Sequence, residues 1–237
     1  MQREYRKWKS PSLGRDMEML IFGKEGTPVL IFPSDNGRFH EWEDQGVIES
    51  VQEQIEEGYN QFICLDSICN ESLLNADVDS YTRDMRHKQY LAYIKEEVLP
   101  FVSEINHNPY LINTGTGLGA YYSLLLALKY PASFDKVIAI SGNFDIKPHL
   151  DGFYDENVYL NNPVDFIPNL NDEKILNQLA TLDIRLLNYQ NDVNREATWR
   201  MSETLWLKFI DHQYYVWDET AGDPWSLIPA MFKEHLI

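Results

Sequence analysis

A chain of 237 residues with 44% apolar side chains can bury one sizeable core, and its length fits a single large α/β domain spanning 1–237. Its 37 acidic residues against 20 basic ones give a formal charge of −17, which repels nucleic-acid phosphates and anionic membrane faces and argues against a nucleic-acid partner. No apolar run is long enough to span a bilayer, and the opening Met1-Gln2-Arg3-Glu4-Tyr5-Arg6-Lys7-Trp8 lacks the apolar stretch of a secretory signal, so the expectation is a cytoplasmic protein without membrane insertion.

In chain order, residues 17–22 predict a strand, with Gly23 and Gly26 closing a hairpin toward Pro28. Residues 29–32 are a short, continuously apolar run, which suits a strand buried on both faces. After a polar loop, Val47, Ile48, Val51 and Ile55 mark an amphipathic helix ending near Gly58, and residues 61–65 predict the next strand. Residues 67–83 read as a long polar loop and therefore a candidate functional surface. A helix over 85–105 should break or kink at Pro100. The two cysteines, Cys64 and Cys69, predict free thiols, and no Cys/His spacing predicts a metal site.

The centre of the chain is Tyr110-Leu111-Ile112-Asn113-Thr114-Gly115-Thr116-Gly117-Leu118-Gly119-Ala120-Tyr121-Tyr122. A short apolar strand stops at glycines two apart, and Leu118, Tyr121, Tyr122, Leu125 and Leu128 then return at helical spacing. This is the strand–turn–helix layout of a Gly-x-Ser-x-Gly nucleophile elbow, with Gly117 where the serine would stand. The same glycines formally satisfy a dinucleotide fingerprint. That fingerprint requires an acid at the end of the next strand, which instead ends Ala139-Ile140-Ser141-Gly142, so no cofactor is expected.

Residues 136–140 predict a further strand. The stretch 143–171 loses periodicity and reads as a lid-like insertion packed by Phe144, Phe153, Tyr154, Tyr159 and Phe166. A short helix (175–179), a strand (184–189), a helix (196–209), a strand (213–217) and a closing helix (225–236) complete the chain. Strands alternating with helices predict a mostly parallel, doubly wound sheet flanked by helices.

The chain resembles the α/β-hydrolase-fold esterases, the family of esterase D, feruloyl esterases and mycolyltransferases. The resemblance rests on Trp8 to Met17, on Phe32-Pro33-Ser34-Asp35-Asn36-Gly37-Arg38-Phe39-His40-Glu41-Trp42-Glu43-Asp44, on the elbow, on Ala139 to Asp145, and on Asn161-Asn162-Pro163-Val164-Asp165. It implies the α/β-hydrolase fold and acyl chemistry by a Ser-His-Asp triad. Carried over, the serine position is Gly117, the acid is Asp192, and the histidine falls on Gly222 or Asp223. Gly117 cannot attack a carbonyl, and neither Gly222 nor Asp223 is a suitable base.

The resemblance also implies an oxyanion hole built of backbone N–H groups, from Leu118 and from the loop near Ser34 or Asp35, which would survive loss of the triad. Ser34, Asp35, His40, Thr116 and Leu118 are therefore the candidate ligand pocket, with an acyl or carboxylate small molecule as its ligand. His40 is the histidine expected beside it. His87, His107, His149, His212 and His235 read as surface residues, Ser141 as a capping or packing residue, and His40, Glu41, Glu43 and Asp44 as the first turn of a helix and no metal site. The main expectation is an esterase-like pseudoenzyme acting through binding or assembly, as a homo-oligomer or with a protein partner. Two alternatives stay open: an active esterase or acyltransferase with a non-standard nucleophile, and a small-ligand sensor using the vacated pocket.

Overall fold

The computed structural model describes residues 1–236. Its centre is an eight-stranded sheet in the order β1-β2-β4-β3-β5-β6-β7-β8. The strands are β1 (Arg3–Lys9), β2 (Asp16–Phe22), β3 (Thr27–Phe32), β4 (Asn60–Leu65), β5 (Ile112–Gly117), β6 (Lys136–Gly142), β7 (Asp183–Tyr189) and β8 (Gln213–Trp217). The pairs β1–β2 and β2–β4 are antiparallel, and every pair from β4 through β8 is parallel. The helices are α1 (Glu41–Asp44), α2 (Val47–Ser50), α3 (Gln52–Glu56), α4 (Ser80–Tyr93), α5 (Leu99–Ile105), α6 (Leu118–Lys129), α7 (Glu156–Leu160), α8 (Pro163–Phe166), α9 (Glu173–Leu179), α10 (Arg195–Leu207) and α11 (Ile228–Leu236).

Alternation along the strands builds one core on each face of the sheet. Leu30, Phe32, Ile63 and Leu65 point to the face covered by α4, α6 and α10. Val29, Ile31, Phe62 and Cys64 point to the face where Trp42, Val47, Ile48, Met231 and Phe232 close the other core. β3, β4 and β6 are dry on both faces, which is why each carries a continuous apolar run.

Four expectations change. β2 and β3 do not form a hairpin, because β4 lies between them. The turn must span two interstrand spacings, about 9.6 Å, which four residues reach easily. A side chain at Gly26 would collide with the backbone of Gly58 and Tyr59, so the chain crosses the start of β4 where only glycine fits. The N-terminal segment is a strand: β1 pairs with β2 from Arg3↔Phe22 to Lys9↔Asp16, and its charges hide it because it is a solvated edge. Residues 80–83 of the expected polar loop already belong to α4, whose first turn is capped by the Asp79 carboxylate accepting from Thr82 N–H. The break expected at Pro100 comes one turn earlier, as a π-helical turn over Ile94–Val98. Pro100 has no N–H to donate, and the widened turn accommodates the missing bond.

The insertion over 143–171 is ordered by polar ties more than by rings. Buried Asn162 accepts from Ile146 N–H at 3.0 Å and donates to Asp145 at 3.0 Å and to Asp165 at 2.7 Å. Lys147 adds a 2.7 Å ion pair to Asp165. Cys64 and Cys69 are buried free thiols whose pKa burial raises, that of Cys69 to about 12, so neither is a ready nucleophile.

Candidate functional site

β5 runs up the middle of the sheet and ends at Gly117, which caps α6 with φ 58° and ψ −121°. A side chain strains this left-handed geometry, and glycine adopts it freely. Gly115 and Gly119 set the tightness of the turn. A Cβ on Gly115 would meet the Gly119 backbone, and one on Gly119 would meet the carbonyls of Phe32 and Pro33. The expected strand–turn–helix is therefore present, with an aliphatic tip.

The Asp35 carboxylate occupies the space above that tip. Its Oδ1 accepts from Leu118 N–H at 2.7 Å, and a Cβ added to Gly117 would collide with the same oxygen. Leu118 is the first residue of α6, so the carboxylate also meets the positive end of a twelve-residue helix. The neighbouring donor is taken in the same way. Glu41 accepts from Ser34 N–H at 2.7 Å through Oε2 and from Ser34 Oγ at 2.5 Å through Oε1. Burial raises the Glu41 pKa, and the two Ser34 bonds oppose that shift. The Leu118 N–H, and the Ser34 N–H that is one of the two candidates for the second oxyanion donor, are thus bonded to the chain's own carboxylates.

Asp192, on the loop after β7, is 7% exposed. Its Oδ1 accepts from Ser141 Oγ at 2.7 Å and from Asn194 N–H at 2.9 Å, and its Oδ2 accepts from Asn188 Nδ2 at 2.5 Å. Asn194 also donates to the Ser141 carbonyl at 2.9 Å. Ser141 sits at φ 52°, an unusual conformation for a non-glycine residue, fixed here between Asp192 and Asn194. A carboxylate without an imidazole is too weak a base to activate this hydroxyl.

Gly222 is exposed and a Cβ there would meet open space; Asp223 caps the following turn by accepting from Trp225 N–H at 3.1 Å. Thr116 is buried at the end of β5, beneath the tip. His40 does not turn to the elbow. It is exposed and its Nδ1 meets Asp44 Oδ2 at 2.6 Å, one turn along the helix start.

Three of the other histidines depart from the surface reading. His149, in the insertion, is half-buried; burial lowers its pKa and the Asp35 carboxylate opposes the shift. No spacing in the sequence links residue 149 to residue 35, so the signal lies only in the fold. His87 is fully buried under α6, its Nε2 3.0 Å from Tyr121 Oη, and burial pushes its pKa down to about 3. His235 is buried on α11, and burial lowers its pKa too. Ser202 and His212 form a Ser–His contact at 2.7 Å, but Ser202 is 3% exposed and the pair ties α10 to the loop before β8. Among the described residues no group of three or more His, Cys, Asp or Glu is arranged to hold a metal ion.

A family model described as "Putative esterase" matches residues 10–234. A ferulic acid esterase structure superposes with a TM-score of 0.79 at 12% identity, covering 98% of this chain and 95% of the other. An S-formylglutathione hydrolase from Agrobacterium tumefaciens gives 0.76 at 14% identity over 99% and 92% of the two chains. MPT51 of Mycobacterium tuberculosis gives 0.64 at 13% identity over 99% and 97%. No curated protein sequence matches significantly. At these identities the structures speak for the fold alone.

Proposed function

This chain belongs to the esterase family and has the α/β-hydrolase fold, and within that family we propose that it is a pseudoenzyme acting through binding or assembly. The observation that carries the reading is the pair of occupied donors. Leu118 N–H holds Asp35 at 2.7 Å and Ser34 N–H holds Glu41 at 2.7 Å, where a hydrolase needs Leu118 N–H and a donor of the Ser34–Asp35 loop free for a developing oxyanion. Gly117 offers no nucleophile and Gly222 no base. Loss of a triad serine alone lowers kcat about a millionfold in enzymes that use one, and an obstructed oxyanion hole adds to that.

The test is hydrolysis of short and medium p-nitrophenyl esters beside an active family member. A rate at the buffer background supports the reading. Turnover that survives repurification and vanishes on a single substitution in this chain sinks it.

One observation favours a second reading, turnover by a non-standard nucleophile: His149 lies within electrostatic reach of Asp35 at the elbow. That reading requires measurable ester hydrolysis that His149→Ala or Ser141→Ala abolishes. The ligand-sensor reading requires an incoming carboxylate to displace Asp35 from Leu118 N–H, so it predicts weak thermal stabilisation of the native chain by carboxylates.

A further inference from the structure

The sheet has two outer edges, and the sequence treats them in opposite ways. β1 carries five charged residues in seven, Arg3, Glu4, Arg6, Lys7 and Lys9, the usual protection of an exposed edge. β8, Gln213-Tyr214-Tyr215-Val216-Trp217, carries none, has no proline, and among the described residues no strand pairs with its outer side. A bare, uncharged edge invites another strand.

The flank of α10 beside that edge is also left apolar. Trp199 packs on Tyr214 of β8 with ring centroids 5.5 Å apart, and Trp206, two turns on, shares that flank. Trp206 is 68% exposed, Leu207 80% and Phe209 92%. Phe209 follows the helix end at φ 57°, the position where helices usually place glycine. Its N–H donates to the Trp206 carbonyl at 3.0 Å, and Ile210 N–H donates to the Leu205 carbonyl at 3.0 Å. A ring that is both conformationally strained and solvated serves nothing within one chain.

Charge identifies the occupant. A second copy brings another −17, and most of the surface would repel it. Residues 193–217 carry three basic side chains, Arg195, Arg200 and Lys208, against three acidic ones, Glu196, Glu203 and Asp211, and two more acids, Asp218 and Glu219, follow at the end of β8. Like copies can meet there at the uncharged centre of β8, where Asp211 of one copy faces Glu219 of the other only at the ends of the pair, whereas a basic partner would be drawn to the acidic faces. A strand pairs with its own copy only antiparallel, about a twofold axis. With Tyr215 on that axis, the α10 helices of the two copies lie side by side on one face of the joined sheet. At ~200 Å² per aromatic side chain, the exposed parts of Trp206 and Phe209 already amount to about 300 Å², against roughly 800 Å² per partner in a stable interface. Trp199, Leu207 and the β8 edge supply the rest.

We propose that two copies of this chain associate through β8 and the apolar flank of α10, forming one continuous sheet across the dimer. This deepens the assembly part of the function proposed above by naming its surface. The test is light scattering and sedimentation of the full chain with Trp206→Glu, Phe209→Gly and, as control, Tyr59→Glu, which alters an equally exposed aromatic (64%) far from β8. The expected result is twice the 27.8 kDa chain mass for the native protein and the control, and a monomer for Trp206→Glu. Phe209→Gly should raise the dimer Kd on the order of 30-fold, while its monomer unfolds at the same temperature or higher, since glycine relieves the left-handed strain. A native monomer at ~100 µM, weaker than any interface of this size, overturns the proposal, as does a dimer indifferent to both substitutions. An ester-hydrolysing dimer would refute the pseudoenzyme reading and leave this one standing; an inactive monomer would do the reverse.

Discussion

At the elbow, a single oxygen decides what can happen. Asp35 Oδ1 takes the space that a side chain at residue 117 would enter, so Gly117 and Asp35 form one arrangement. Gly117→Ser should therefore destabilise the chain by about 1–3 kcal/mol, the usual range for overpacking and backbone strain. In an Asp35→Ala background the same substitution should cost less, because the collision is gone. Urea unfolding of the two single variants and the double variant gives the coupling, and strictly additive values would remove this account of the turn. Asp35→Ala also frees Leu118 N–H. That variant should gain thermal stabilisation from acetate or butyrate at concentrations that leave the native chain unmoved. His87 gives a prediction in pH. Its folded pKa, pushed down by burial to about 3, lies below its ordinary 6.5. Between those values the unfolded chain binds the extra proton, so the stability of the neutral buried imidazole is complete above pH 6.5 and is lost as pH falls toward 3. From pH 7 to pH 5 the loss is about 2 kcal/mol. His87→Gln should flatten that part of the stability–pH curve relative to the native chain, and parallel curves for the two proteins would contradict it.

Among the elements, the insertion over 143–171 is held both by fully buried side chains, Phe144, Ile146, Leu150, Val158 and Ile167, and by polar ties. Asn162 ties the start of the insertion, at Asp145 and Ile146, to Asp165 in its second half, beside the Lys147–Asp165 ion pair. Asn162→Ala leaves a buried N–H and two carboxylates short of partners, a cost of about 2 kcal/mol. Amide exchange should rise across 143–171 while β5 and β6 keep their protection; uniform acceleration over the whole chain would mean that the insertion and the sheet open together. The parallel strands and α6 were legible in the sequence because they are buried on both faces or strongly periodic. β1 was not, since an edge strand needs no apolar alternation. The false hairpin came from two glycines that mark a turn but do not say which strand lies beside it. The strand–turn–helix with a glycine at its tip was readable from residues 113–119. The links from Asp35 to Leu118, from Glu41 to Ser34 and from Ser141 to Asp192 join residues up to 83 positions apart, a distance over which local pattern carries no signal.

For the molecule as a whole, the dominant fact is its charge of −17. Self-repulsion between acidic faces opposes compactness, and ion pairs oppose that repulsion. Many pairs, such as Arg200–Glu196 with side chains 70% and 76% exposed, lie in solvent and contribute little each. Repulsion therefore sets the sign of the salt response. Raising NaCl shortens the screening length from about 30 Å at 0.01 M to about 8 Å at 0.15 M. The melting temperature should climb over that interval and then level off. Association through the β8 surface should tighten over the same interval, because screening removes the long-range repulsion between two like-charged bodies and leaves the aromatic contact intact. Melting curves and sedimentation in the same salt series check both effects. A melting temperature that falls with salt would mean that ion pairs outweigh repulsion. A dimer that loosens with salt would mean that its interface is held by charge and not by the aromatic flank of α10.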